Sequence, residues 1–334
     1  MKQKNITRSL SLAALLFSLV GCNSTTSSTT NGTTNNTGSS TTAATTTFDT
    51  TKTIKCYTRD TTSGTRDGFF TTIGMKEQKE NNSGLVSGFV EVTSNGNMIN
   101  SVKSDTYGIG YISLASLETS GLKGLTYENV KPTEENVLNK TYGLTRNFNY
   151  IKRADYASDS KVGQIVDAFI AYMNTKEGKA IIKSNDGILS ITTSDKSWDD
   201  IKANYSICTE DNSNITVKFG GSTSVEKIAK ALTSAFSKLC GNFIASHNHA
   251  GSGDAYKYTQ ASATKDSASA MDIGFLSREL SSTETAAENT SGKICTDAIV
   301  AVVNTANTLT STTAATLKSI YTGEKTVWNQ VIVA

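Results

Sequence analysis

The sequence predicts an α/β fold with a largely parallel sheet. An alternating apolar strand at 215–219 runs into the loop GGSTS, and apolar residues at helical spacing follow over 225–239. A near-continuous apolar run at 297–304 suits a strand buried on both faces. Because strands alternate with helices along the body of the chain, the sheet is expected to be mostly parallel.

The other elements follow from the same patterns. Short apolar runs predict strands at 54–57 and 109–112, and apolar residues at helical spacing predict a helix over 162–173. About 280 residues of ordinary composition follow the N-terminal segments, which is enough for one large domain or for two lobes with their own cores.

The N-terminus has the pattern of an export signal. Lys2, Lys4 and Arg8 precede an apolar run at 10–20, which is too short to span a bilayer. The run ends LVGC and resembles the lipobox of bacterial lipoproteins, which implies removal of residues 1–21 and lipidation of Cys22. A plain secretory signal is the alternative. No other segment is apolar enough to span a membrane.

Residues 22–50 are predicted to be a disordered tether. Apart from two alanines, 23–47 contains only Ser, Thr, Asn and Gly, which cannot bury apolar surface. A coil of about 30 residues reaches roughly 30 Å. The tether would therefore hold the body near a membrane surface, on the extracytoplasmic side.

Composition excludes several functions. The net charge is +2, and three of the basic residues lie in the signal, so the body lacks the dense basic face of a nucleic-acid binder. Two histidines and five cysteines leave little room for a metal site, and none is expected. Cys56, Cys208, Cys240 and Cys295 remain in the exported body, where all three disulfide pairings and buried free thiols stay open.

Three short loops combine glycine with small hydroxyl residues, at 221–224, 251–253 and 63–65. Glycine lets the backbone approach a ligand, hydroxyl groups donate, and a helix N-terminus adds free N–H groups. Arg59 supplies one planar cation just before the third loop. This set suits a small tetrahedral oxyanion, and helix capping alone is the alternative.

Six strings carry a resemblance to a known family: TRDTTSGTRDGFF, GIGYISLASL, GSTSVEKIAKALTSAF, GSGDAYK, DIGFLSREL and LTSTTAATLKSIYTGEKTVWNQV. Together they resemble the phosphate-binding protein of bacterial phosphate ABC importers, the PstS family, over most of 54–334 with a gap near 191–213. The resemblance implies a two-lobed type II periplasmic-binding-protein fold, with the ligand in the cleft between the lobes and no cofactor.

The order of the strings differs from the family's order and looks circularly permuted. In the family the GSTS-type loop comes first and the SGT loop follows the tryptophan segment. One lobe would comprise 51–143 plus 297–334 and the other 144–296, with 191–213 bridging the old termini. We therefore expect 50–54 and 331–334 to lie on one lobe, within a short loop's reach.

The resemblance also implies the ligand contacts. Backbone N–H groups, hydroxyl groups and one guanidinium would donate to phosphate oxygens. These groups belong to Thr223, Ser224, Ser252, Ser277, Arg59, Ser63, Gly64 and Thr65.

The sequence departs from the family pattern in two places. Thr61 and Thr62 replace an Asp-Gly pair, so Asp60 becomes the candidate to orient Arg59. Ser277 stands where some relatives have an aspartate. A carboxylate accepts hydrogen bonds but donates none, so it favours protonated phosphate and repels sulfate. A serine hydroxyl can also accept, but it does not repel sulfate. Selection between phosphate and sulfate is therefore the open part of this interpretation.

The sequence thus predicts a lipid-anchored, monomeric phosphate-binding protein without catalytic activity. It would deliver phosphate to a membrane permease pair driven by a cytoplasmic ATPase. The alternatives are a binder of another oxyanion such as sulfate, a phosphate sensor, and a surface adhesin or scaffold that keeps the fold. His247 and His249 are expected to be structural.

Overall fold

A computed structural model of the chain describes residues 47–332, which form one compact unit. The predicted signal at 1–21, Cys22 and most of the predicted tether lie outside the described residues. Among the helices that are described, none is both long and apolar enough to cross a membrane.

Eleven strands are described. They are β1 Lys55–Arg59, β2 Val90–Val92, β3 Gly108–Ser113, β4 Lys123–Gly124, β5 Thr126–Tyr127, β6 Thr145–Lys152, β7 Thr216–Gly221, β8 Ile244–Asn248, β9 Ile273–Leu276, β10 Ser291–Val303 and β11 Ser311–Thr312. Eight of them follow one hydrogen-bonded path in the order β2-β1-β3-β10-β6-β9-β7-β8, and β4 also pairs with β10. β5 and β11 form a separate small sheet.

The helices connect these strands. They are α1 Gly64–Thr72, α2 Asn95–Ser104, α3 Leu117–Ser120, α4 Glu134–Leu138, α5 Lys161–Met173, α6 Lys176–Ser184, α7 Trp198–Ile201, α8 Glu226–Leu239, α9 Ser252–Thr259 and α10 Ala314–Tyr321. Hydroxyl side chains cap the N-termini of several of these helices. For example, Ser160 Oγ accepts from Gly163 N–H at the start of α5. α8 buries Ile228, Leu232 and Phe236 on one face, as its spacing predicts.

The large sheet has two halves with the same local order. β1 lies between β2 and β3, and β7 lies between β8 and β9, with all of these neighbours parallel. β10 and β6 then add antiparallel strands next to β3 and β9, and pair with each other. The sheet is therefore mixed rather than largely parallel, because β6 and β10 join the halves directly instead of returning through a crossover helix.

Two main cores of buried apolar side chains lie on either side of this junction. The SGT core contains Phe69, Tyr111 and Trp328 and draws on 54–144 and 298–331, together with Ile188. The GSTS core contains Phe169, Phe219 and Phe236 and draws on 148–275, together with Cys295. Each core therefore combines segments that are far apart in the chain.

The two ends of the described body meet on the SGT core. Ile54 N–H donates to Thr326 O at 2.8 Å, and Asn329 N–H donates to Thr50 O at 2.7 Å. The Phe48 ring also packs on Trp328, with centroids 5.7 Å apart. Phe48, which lies within the range predicted as tether, is thus part of the folded body, because its ring has apolar surface to bury.

The four cysteines within residues 47–332 form one disulfide bridge and two buried thiols. Cys208 and Cys240 form a disulfide that closes a separation of 32 residues. Cys56 and Cys295 are free and buried. The bridge ties the 191–213 segment, which contains α7 and short 3₁₀ turns, to the end of α8.

Candidate functional site

All three Gly/hydroxyl loops precede helices and come together between the two cores. Ser63 caps α1, and its Oγ accepts from Arg66 N–H at 3.4 Å. The GSG loop also opens a helix, since Ser252 is the first residue of α9. At each helix start the first N–H groups have no partner within the helix. The convergence therefore brings three helix N-termini to one place, and a helix N-terminus favours an anion.

Gly64 marks the closest approach of the SGT loop to the GSTS-core side. A β-carbon at this position would lie 2.5 Å from Ser252 Oγ and 2.6 Å from Ser277 Oγ. Nearby, Gly253 N–H donates to Thr62 O at 3.0 Å. Only glycine allows this contact, so the backbone at residue 64 lies directly against two predicted ligand-binding hydroxyl groups.

The serines form a hydrogen-bonded cluster. Ser222 Oγ donates to Ser277 Oγ at 2.9 Å, and Ser277 and Ser252 hydroxyls are 3.1 Å apart. Ser277 N–H donates to Ser252 Oγ, and Ser224 N–H donates to Ser222 Oγ. Because each hydroxyl can donate or accept, this cluster can face an oxygen that is protonated or one that is not.

Ser224 connects the two sides of the site. Its Oγ lies 3.0 Å from Thr65 Oγ1 and accepts from Asn95 Nδ2 at 3.1 Å. Arg146 Nη2 also donates to Ser224 Oγ at 3.1 Å. The side chains of Thr65 and Asn95 come from helices α1 and α2, whereas Arg146 comes from strand β6.

Arg59 ends β1 and is buried, with 1% of its residue surface exposed. Its Nη2 donates to Thr93 O at 2.9 Å and lies 3.4 Å from Thr223 Oγ1. Asp60 Oδ2 is 3.6 Å from the same nitrogen, and Asp60 Oδ1 accepts from Thr62 N–H. Burial lowers the pKa of the Arg59 guanidinium, and the Asp60 charge opposes that shift.

The predicted site residues are thus brought into one cluster. Gly64 meets Ser252 and Ser277, Thr65 meets Ser224, and Arg59 meets Thr223. Ser63 is also buried, but its hydroxyl oxygen accepts the hydrogen bond that caps α1.

Sequence reasoning missed Ser222, Asn95, Arg146 and the pair formed by Asp297 and Ser113. Arg146 carried a recognisable signal, because it stands between Leu144 and Phe148 at the inward-facing positions of a strand. A charged side chain at an inward-facing position of a strand needs a buried partner. Asn95 and Ser113 carried no such signal, since small polar residues are common at helix starts and strand ends.

The histidines lie behind the GSTS loop. His249 Nδ1 is 3.1 Å from Ser222 O, and His247 Nδ1 is 3.1 Å from His249 Nε2. Burial is the main reason that the pKa of His247 falls to about 4. Within residues 47–332, no group of three or more His, Cys, Asp or Glu side chains could hold a metal ion.

Comparisons with known proteins agree with this architecture. The family model for the PBP superfamily domain matches residues 208–334. A protein named phosphate-binding protein PstS 2 from Streptococcus pneumoniae serotype 4 is 28% identical over 283 residues, which is 84% of this chain and 88% of the relative. A protein of the same name from Streptococcus agalactiae serotype V is 28% identical over 282 residues, with the same shares covered.

A solved structure has the same fold. It is the crystal structure of a phosphate-binding protein of a phosphate ABC transporter from Streptococcus pneumoniae TIGR4. The TM-score is 0.59 at 25% identity, over 84% of this chain and all of that one. The chain therefore has the two-lobed type II periplasmic-binding-protein fold. Within that class the chain is similar to the proteins named phosphate-binding protein PstS 2.

The order of the motifs bears on the predicted permutation. One alignment covers most of both chains, so the streptococcal relatives carry the motifs in the same order as this protein. The comparisons therefore do not confirm a permutation. It stays a prediction about how this chain differs from the family's motif order.

Proposed function

We propose that this protein is a lipid-anchored, extracytoplasmic solute-binding protein that captures inorganic phosphate for an ABC importer. The observation that carries the proposal is the convergence of three helix-start loops on one buried cluster, beside the guanidinium of Arg59. The names of the relatives support phosphate as the ligand and an ABC transporter as the partner.

In the proposed complex, phosphate lies between the SGT core and the GSTS core, which act as the two lobes. N–H groups of Gly64 and Thr65 donate from one side, and the hydroxyls of Thr223, Ser224 and Ser252 donate from the other. Arg59 adds a charge-assisted hydrogen bond. Binding requires donors and one fixed cation, so no catalytic group enters this proposal.

Closure of the lobes would be the signal that the permease reads. A ligand that contacts both sides favours the closed arrangement by its differential affinity for that state. We propose that the closed body docks on a permease pair, and that an ATPase on the cytoplasmic side drives release. We further propose that the body acts as a monomer.

Calorimetric titration of the chain from Thr47 onward, stripped of bound phosphate, tests the ligand. We expect one-to-one binding of inorganic phosphate and weaker binding of sulfate. Comparable binding of the two anions would support an oxyanion site but would show that the site does not select phosphate. No binding of either anion by a folded sample would reject the proposal and favour an adhesin or scaffold.

The anchor requires a separate test, because Cys22 lies outside the described residues. We expect the full chain to fractionate with membranes and the Cys22→Ser variant to be recovered in the soluble fraction. Unchanged fractionation of that variant would reject lipidation at Cys22 and leave the phosphate site unaffected.

A further inference from the structure

Two guanidinium groups approach the GSTS loop from different strands. Arg59 Nη2 lies 3.4 Å from Thr223 Oγ1, and Arg146 Nη2 lies 3.1 Å from Ser224 Oγ. Only 1% of the Arg59 side chain and 3% of the Arg146 side chain are exposed. Two buried cations therefore flank consecutive residues of one loop.

Each guanidinium retains a buried nitrogen without a hydrogen-bond partner among the described residues, Nε of Arg59 and Nη1 of Arg146. A buried donor without an acceptor is unfavourable, and more so when it carries charge. A tetrahedral oxyanion offers several lone pairs at once. An anion beside the GSTS loop could accept from such a donor and would neutralise part of the charge.

Arg146 is held in place by an acidic partner. Its Nε and Nη2 donate to Asp297 Oδ2 at 3.0 and 2.8 Å, and Ser113 Oγ contacts both Asp297 oxygens at 2.9 Å. Arg146 on β6 and Asp297 on β10 are direct cross-strand neighbours. The carboxylate accepts from Nε and Nη2, so Nη1 is left without an acceptor among the described residues.

We propose that Arg146 is a second guanidinium of the anion site, contributed by β6 and oriented by Asp297 and Ser113. This inference rests on the proposed function, because it assigns a further binding residue to the same phosphate site. Bound phosphate would then lie between two cations. It would also contact the pair of strands that joins the two halves of the sheet.

The test needs a matched pair of variants. Removing Arg146 alone would leave the buried Asp297 carboxylate without its partner, which is strongly destabilising. We therefore compare Asp297→Asn with the double variant Arg146→Gln/Asp297→Asn. Both lack the carboxylate, and they differ only in the guanidinium. Circular dichroism checks folding, and calorimetry measures the affinity for inorganic phosphate.

We expect Asp297→Asn to bind phosphate more weakly than the wild type, because its amide oxygen still accepts from Arg146 but lacks the charge that orients the guanidinium. We expect the double variant to bind at least about tenfold more weakly than Asp297→Asn, because only the double variant lacks the guanidinium. A folded double variant that matches Asp297→Asn would overturn the inference while leaving the proposed function intact. A wild type that does not bind phosphate would instead reject the proposed function.

A crystal structure of the phosphate-loaded wild type provides a readout that does not depend on variant folding. We expect a phosphate oxygen within about 3.2 Å of Arg146 Nη1. A bound phosphate with all its oxygens more than about 4 Å from the Arg146 guanidinium would overturn the inference.

Discussion

At the scale of single residues, the site depends on buried side chains that are polar or charged rather than apolar. Arg59, Ser224, Ser252 and Ser277 are all buried. Each contacts a polar group from a distant part of the chain. Buried polar groups of this kind are stable only when they are paired. The residue types could be predicted from the motifs, but their partners could not, because hydrogen-bond partners far apart in sequence follow from the fold.

Arg59→Ala should weaken phosphate binding by ten- to a hundredfold, because a hydrogen bond to a charged group contributes about 1.5–3 kcal/mol. Calorimetric titration with phosphate measures the effect. Lys238→Ala is the control, since Lys238 is an exposed cation at the end of α8. Equal affinity of the folded Arg59→Ala variant and the control would show that Arg59 does not bind the ligand.

Gly64→Ala should impair binding through contact rather than charge. The added methyl group would lie 2.5 Å from Ser252 Oγ, so it would hold the SGT loop away from the serines. We expect at least about tenfold weaker phosphate binding, corresponding to about 1.4 kcal/mol. Gly96→Ala, on an exposed turn of α2 with only Ser94 Oγ nearby at 3.7 Å, should bind as the wild type does. If both variants bind equally well, the close approach at Gly64 is not needed for function.

At the scale of elements, hydrophobic periodicity was a reliable guide. The helix predicted at 225–239 is Glu226–Leu239, and the strand predicted at 109–112 lies within Gly108–Ser113. The prediction of a largely parallel sheet was less accurate, because the direction in which β6 and β10 enter the sheet is not encoded in their own residues. The Cys208–Cys240 pairing was undetermined for the same reason, since spacing alone does not bring two segments together.

The disulfide should stabilise the fold through the chain it closes. Cross-linking residues separated by 32 positions restricts the unfolded chain by about 3–4 kcal/mol. Urea unfolding with and without reductant measures this. We expect reductant to lower the midpoint of the wild type and to have no effect on Cys208→Ser/Cys240→Ser. A wild-type midpoint insensitive to reductant, after confirmed reduction, would contradict the prediction.

His247 on β8 should make stability depend on pH. Burial holds the pKa of His247 near 4, below the value of 6.5 expected in the unfolded chain. As the pH falls from about 6.5 toward 4, the unfolded chain takes up a proton that the folded one does not, so the free energy of unfolding decreases. Chemical unfolding across this range should show a shallower decrease for His247→Gln. Parallel pH profiles for variant and wild type would contradict this assignment.

At the scale of the whole molecule, the two ends of the body lie side by side on the SGT core. Thr53 and Val327 form an isolated antiparallel bridge, and Trp328 N–H donates to Lys52 O at 3.1 Å. This proximity is what the predicted permutation requires, although it also occurs in chains that are not permuted.

A rewired chain tests whether the order of segments matters. A short linker would join Ile332 to Asp49, and the chain would be opened before Ser194, an exposed residue of the connecting segment. Because most contacts of both cores are kept, we expect this variant to fold cooperatively and to bind phosphate within about threefold of the original chain, a difference under about 1 kcal/mol. A rewired chain that does not fold would show that the present order is required.

The sequence by itself determined the loops, the helix starts and most element boundaries. Each of these depends on a few neighbouring residues, through side-chain periodicity, capping and the conformational freedom of glycine. Only the tertiary structure decided that Arg146 lies against Ser224, that Asp297 orients it, and that Cys208 pairs with Cys240. These contacts join residues brought together by strand order and register, and short-range sequence patterns contain no information about which distant segments become neighbours.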